Sequence, residues 1–134
     1  MFKIMIAVVL LAHGIGHVLG PLQVSKVDVV NPSWNGDSWL LTGAVGQSIT
    51  GAVGVALWTV AILAFGVLAG VVMGWLPEAW WTPLAIVASV VSLVGVLLFP
   101  AAFPATSTIG AVIVDVVVLA AVLWFHWVPS SLPE

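Results

Sequence analysis

The chain has 134 residues, of which 63% are hydrophobic and 5% charged, with a formal charge of −3 and no cysteine. A composition this apolar cannot cover a water-facing surface of ordinary size, so the chain belongs in a bilayer. Lys3 and Lys26 are the only basic residues besides histidine, which excludes the electrostatic footprint of a nucleic-acid binder or a polybasic lipid patch, and the missing thiols exclude disulfides, thiolate metal sites and a cysteine nucleophile.

A membrane helix needs about 20 predominantly apolar residues, and four segments qualify. The first runs from Phe2 to Gly20, where Gly20-Pro21 closes it. Its start, MFKIMIAVVLLA, has the lysine and apolar run of a signal peptide but no small-x-small cleavage site after it, and reads as a membrane helix. Within it lies LAHGIGH, which sets His13 and His17 one helical turn apart.

The long connection, residues 21–49, carries the polar cluster NPSWNGDSW and is expected to end in an interfacial helical segment leading into the second span. Asn31-Pro32-Ser33 is no glycosylation acceptor, because proline holds the middle position. TGAVG occurs twice, at Thr42 to Gly46 and Thr50 to Gly54, and reads as small residues for close helix contact.

The second span is expected at Thr50 to Leu76, ended by Pro77. Gly66, Gly70 and Gly74 recur every fourth residue there and mark a face for another helix, a second copy, or a larger membrane complex. The third span is expected at Pro83 to Phe99, with Pro83 in its first turn. Pro100 and Pro104 separate it from the fourth, Ser107 to Trp127, which contains Asp115. The whole chain then forms a single all-α domain, a four-transmembrane-helix bundle with a long first loop.

Four crossings place Trp75, Trp80, Trp81, Trp124 and Trp127 at one membrane surface, an aromatic belt, with Trp34 and Trp39 opposite and Trp58 deeper. Both termini then share a side. Lys3 favours a cytoplasmic one and Lys26 opposes it; the first helix carries more weight, so the expectation is a cytoplasmic membrane, prokaryotic in type, with both ends inside.

Depth then groups the polar residues. At 1.5 Å per residue, His13 falls ~4 Å and Asp115 ~3 Å from the midplane, both toward the long loop. Gln47, Ser48, Thr50, Ser89, Ser92, Thr106, Ser107 and Thr108 fall in the same half, and Thr59 and His126 in the other. His13, Gly16, His17 and Gly20 form one helical stripe, Ala85, Ser89 and Ser92 a second, and Thr108, Ala111 and Asp115 a third. The expected ligand pocket is therefore His13, His17, Gln47, Ser89, Ser92, Thr108 and Asp115, with the glycines leaving room for a ligand or water. A carboxylate at this depth costs about 2.5 to 3.5 kcal/mol on insertion scales and is normally paired, protonated or functional; the expected partner of Asp115 is His13.

With four spans, a long first connection and polar residues in helix one at His13 and His17, the chain resembles the small four-helix membrane proteins called DoxX-like. That resemblance covers most of its length and implies a pocket for a lipid, quinone or isoprenoid, with quinone the candidate cofactor. The residues themselves leave three functions open: an apolar-ligand pocket serving binding, proton-linked transport or redox chemistry; a metal site of His13, His17 and Asp115, or a haem; and a structural subunit of a larger complex. Whether the protein is an enzyme is not legible from them.

Overall fold

A computed structural model describes residues 1–25 and 34–131. The described residues contain helices and turns and no strand, and four helical stretches are long and apolar enough to cross a membrane: Phe2–Val24, Gln47–Val72, Glu78–Leu98 and Ala105–Leu123. Lys26 and the Asn31, Pro32, Ser33 run lie outside the described residues.

The first stretch is longer than expected and broken in two. Helix α1, Phe2–Gly16, gives way to α2, Leu19–Val24, so Gly20-Pro21 does not end the span. Proline is tolerated in the first turn of a helix, where its missing N–H has no partner in any case, and Pro21 is the third residue of α2. A continuous helix would instead push the proline ring against the His17 carbonyl. The chain avoids this by tightening: His17 N–H bonds Gly14 O at 3.1 Å, Val18 N–H bonds Ile15 O at 3.0 Å, and the His17 carbonyl accepts from Gly20 N–H at 3.1 Å.

The interfacial segment is the single turn α3, Thr42–Val45, cut from α4, Gln47–Val72, by Gly46 at φ 79°. The two TGAVG copies therefore do different work, one forming α3 and its break and the other lying inside α4, where Gly54 is buried. The α4 helix ends in a Schellman motif: Gly74, at φ 76°, bonds Val71 O at 3.0 Å and Trp75 N–H bonds Gly70 O at 2.9 Å. Gly74 is thus a cap, and a Cβ on Gly70 would lie 3.0 Å from Leu76 Cδ1, so that glycine admits the returning chain, whereas a Cβ on Gly66 would meet nothing within 4 Å. A 3₁₀ turn, Glu78–Trp80, leads into α5, Trp81–Leu98, with Pro83 in its first turn. Helix α6, Ala105–Leu123, stops before Trp124 to Trp127.

Helix α4 packs along both α1 and α5, and α5 along α6, whereas α1 and α6 meet less closely. One core runs between the helices through Leu10, Phe65, Leu68, Val72, Trp81 and Val118. Trp81 is 2% exposed, donates to Trp127 O at 2.9 Å and packs edge-to-face on the Trp127 ring. It closes the bundle from inside instead of joining the belt, whereas Trp75 and Trp124 are 75% and 81% exposed, as interfacial anchors would be.

A second core lies at the loop end, where Trp58 packs with Trp34, Phe99 and Ala102. Trp58 is fully buried, cradled by glycines of three helices: a Cβ on Gly20 would come within 2.4 Å of its ring, one on Gly54 within 3.1 Å, and one on Gly95 within 3.3 Å. The loop seals this end by capping α5, since Ser38 Oγ donates to Leu98 O at 2.6 Å and Trp39 Nε1 to Leu97 O at 2.7 Å. Carbonyls of the last helical turn, which lack helical partners, are thereby satisfied.

Candidate functional site

Four polar side chains from three of the membrane-crossing stretches meet in the middle of the bundle. His13 Nε2 lies 3.1 Å from Asp115 Oδ1, and Ser92 Oγ donates to Asp115 Oδ2 at 2.6 Å. The same Ser92 oxygen lies 3.0 Å from His17 Nε2 and 3.4 Å from His13 Nε2. Local structure explains why they converge. His13 and His17 sit four residues apart on one face of α1; Ser92 and Asp115 occupy the buried faces of α5 and α6. Because the first stretch reaches Val24, His13 stands at its centre, deeper than a span ending at Gly20 would put it. Asp115 is one residue past the midpoint of α6.

The hydrogen inventory orders the network. The Ser92 hydroxyl has one proton and spends it on Asp115, so His17 Nε2–H donates to the Ser92 oxygen. With Asp115 ionised, His13 Nε2–H donates to Oδ1, and the carboxylate accepts two bonds while a third feeds it through Ser92. With that proton moved to Oδ1 and another taken up at His13 Nδ1, the direction of that bond reverses and both partners are neutral. The two arrangements differ by one proton transferred across 3.1 Å and one gained at Nδ1. In either, the His13 Nδ1 and His17 Nδ1 have no hydrogen-bond partner among the described residues.

Burial separates the members. Asp115 is 0% exposed, Ser92 1% and His17 4%. A cavity of about 180 Å³ adjoins them, lined by residues that include His13, Gly16, His17, Phe103, Ser107 and Thr108. Asp115 and Ser92 are not in its wall: they stand behind the two imidazoles. Thr108 Oγ1, in the wall, is buried without a hydrogen-bond partner.

Of the residues expected in a pocket, the fold brings His13, His17, Ser92 and Asp115 into one network and sets Thr108 beside it. Ser89 is buried one turn from Ser92, but its hydroxyl has no partner in the described structure. Gln47 is placed elsewhere. It is exposed, and its side chain donates to Asn35 O at 2.6 Å, because Gly46 starts α4 at the rim and Gln47 is its first residue. The histidine-side glycines also divide: Gly16 borders the cavity, whereas a Cβ on Gly14 would meet Phe65 at 3.0 Å and Gly20 accommodates Trp58. Thr50 bonds its own helix at Gly46 O. His126 is exposed, at φ 49° past the end of α6.

Two aromatic residues not singled out from sequence complete the site. The Phe65 ring stands edge-on to His13 with centroids 4.4 Å apart, and Phe103 meets His17 edge-on at 6.4 Å. The only signal for Phe103 was its place between Pro100 and Pro104, which fix the turn over the cavity. No group of three His, Cys, Asp or Glu side chains among the described residues is arranged to hold a metal ion, since Ser92 sits among the ring nitrogens and the carboxylate that would have to converge. Comparison with family models, curated proteins and solved structures found no match to this chain.

Proposed function

We propose that this integral membrane protein binds the polar group of an apolar or amphipathic molecule, of the quinone, isoprenoid or lipid kind that a DoxX-like resemblance implies, and can exchange a proton with it. The observation that carries the reading is the proton-sharing network of His13, Asp115, Ser92 and His17 at 2.6 to 3.4 Å, set against a cavity walled by its two imidazoles. A buried polar network serving structure alone needs no cavity beside it, and a cavity serving volume alone would be lined by apolar groups.

In this reading the histidines touch the ligand and the acid does not. Asp115 is a positioning residue: by taking the bond to His13 Nε2 it fixes the tautomer and leaves Nδ1 as the acceptor. A ligand hydroxyl would donate to that nitrogen; as its proton arrives there, the proton on Nε2 passes to Asp115, and the imidazole stays neutral. Ser92 holds the second carboxylate oxygen and orients His17.

The test is native mass spectrometry of protein released from nanodiscs, with lipid analysis of what it retains. One bound amphipathic molecule per chain, lost in His17→Leu while the fold is kept, is the expected result. Release without a retained small molecule, but with a stoichiometric protein subunit, would replace the reading by a structural role in a complex.

A further inference from the structure

The cavity is the upper half of a longer feature. Helices α1 and α6 meet less closely than α1 and α4, α4 and α5, or α5 and α6, and both empty spaces along their seam take walls from these two helices, the histidine cavity also from Val96 and Phe103. Next to the histidine cavity lies a groove of about 320 Å³ lined by Met5, Ile6, Val9, Leu10, Ile113, Val114, Val117 and Val118, without a polar residue. Met5, Val9, Ala12 and Gly16 follow at spacings of four, three and four on α1, so the side chains shrink toward the cavity along one stripe. Ala111 and Ser107 continue the α6 wall of the groove in the same way. The side chains along the seam are therefore smallest at the level of the imidazoles, and the seam is apolar below it.

Resting on the binding function proposed above, we infer that the ligand is a neutral single-chain amphiphile that enters sideways from the bilayer between α1 and α6, its head in the histidine cavity and its chain in the Met5, Val9, Ile113, Val117 groove. Three observations select that chemistry. No lysine lines the cavity and the chain has no arginine, while a carboxylate stands directly behind its wall, so an anionic head would meet no counter-charge and one like charge. A cationic head would find Asp115 fully buried behind His13 and Ser92, out of reach. What the cavity offers is neutral: imidazole nitrogens, the exposed Ser107 and the unpartnered Thr108 hydroxyl. Its volume suits a small head, since an apolar cavity of about 150 Å³ admits benzene, and one narrow groove suits one chain.

The experiment uses the full chain in phosphatidylcholine nanodiscs and two photoreactive probes of equal length carrying a mid-chain diazirine, a long-chain primary alcohol and the matching fatty acid, compared at a pH where the acid is ionised. The alcohol should label Met5, Val9, Ile113 or Val117, saturably. Val9→Trp, which fills the groove from an exposed position, should abolish that label, and Thr108→Val should weaken alcohol binding roughly fivefold, the loss of one hydrogen bond. The acid should label these positions at least several-fold less. Labelling of the seam by both probes equally, or labelling spread over exposed residues such as Leu63 and Leu97 and indifferent to Val9→Trp, would overturn the inference. If such spread labelling accompanies a retained molecule that still depends on His17, the seam alone is wrong; if no molecule is retained either, the binding function falls with it.

Discussion

Removing His13 tests the network at its most stressed point. In His13→Leu the Asp115 carboxyl keeps the Ser92 hydroxyl at 2.6 Å and loses the donor at 3.1 Å, in a position with no solvent exposure. Hydrogen bonds between helices in a bilayer are worth about 0.6 kcal/mol on average and about 1.7 at most, whereas stranding a buried charge costs about 3 to 5 kcal/mol. With one donor retained, the expected loss falls between these, about 2 to 3 kcal/mol. Asp115→Asn keeps an oxygen for one donor and removes the charge, so about 1 kcal/mol is expected. In the double variant nothing charged is left to strand, and its loss should fall short of the sum of the singles by about 1 to 2 kcal/mol. Reversible unfolding in mixed detergent micelles, or steric trapping in bicelles, measures all four corners of the cycle. Single effects that sum to the double within about 0.5 kcal/mol would refute the coupling.

Further outcomes follow from single residues. Ser89→Ala and Ser92→Ala remove the same group from one helix, but only Ser92 has partners, so Ser92→Ala should cost about 1 to 2 kcal/mol while Ser89→Ala is neutral or stabilising in the same unfolding assay. Gly20→Ala drives a Cβ to within 2.4 Å of the Trp58 ring and should cost about 1 to 3 kcal/mol; Trp58→Leu in the same chain should abolish that increment, and persistence of the full cost would disprove the cradle. His126 holds a left-handed φ of 49°, so His126→Gly should raise stability by up to about 1 kcal/mol, and a loss there would show a side-chain role. Single cysteines at the exposed positions 44 and 131 should react from opposite faces of sealed vesicles, as four crossings require; reaction from one face would remove a span.

The helices were legible because each is apolar throughout and most of their ends carry glycine or proline, and the shared level of His13 and Asp115 followed from counting along those spans, although both stand nearer the middle than the count put them. Residue type alone misplaced the boundary at Pro21, because proline ends a helix only in its interior and here stands in the first turn of a new one. Gln47 was drawn into the pocket by depth, but depth says nothing of which way a side chain turns at a helix start. Gly74 fitted an every-fourth-residue pattern although its backbone is a cap, which periodicity cannot distinguish from a packing face. Phe65 and Phe103 escaped notice because an aromatic residue in a membrane span is ordinary until the neighbouring helix supplies an imidazole beside it.

Infrared difference spectroscopy of the carboxyl group of Asp115 probes the joining of network and cavity most directly. With the band assigned by its disappearance in Asp115→Asn, addition of the retained amphiphile to stripped protein should shift or protonate that carboxyl, since a bond formed at His13 Nδ1 alters the bond that His13 Nε2 makes to the acid. Stoichiometric binding that leaves the Asp115 band unchanged would contradict a ligand contact transmitted through His13.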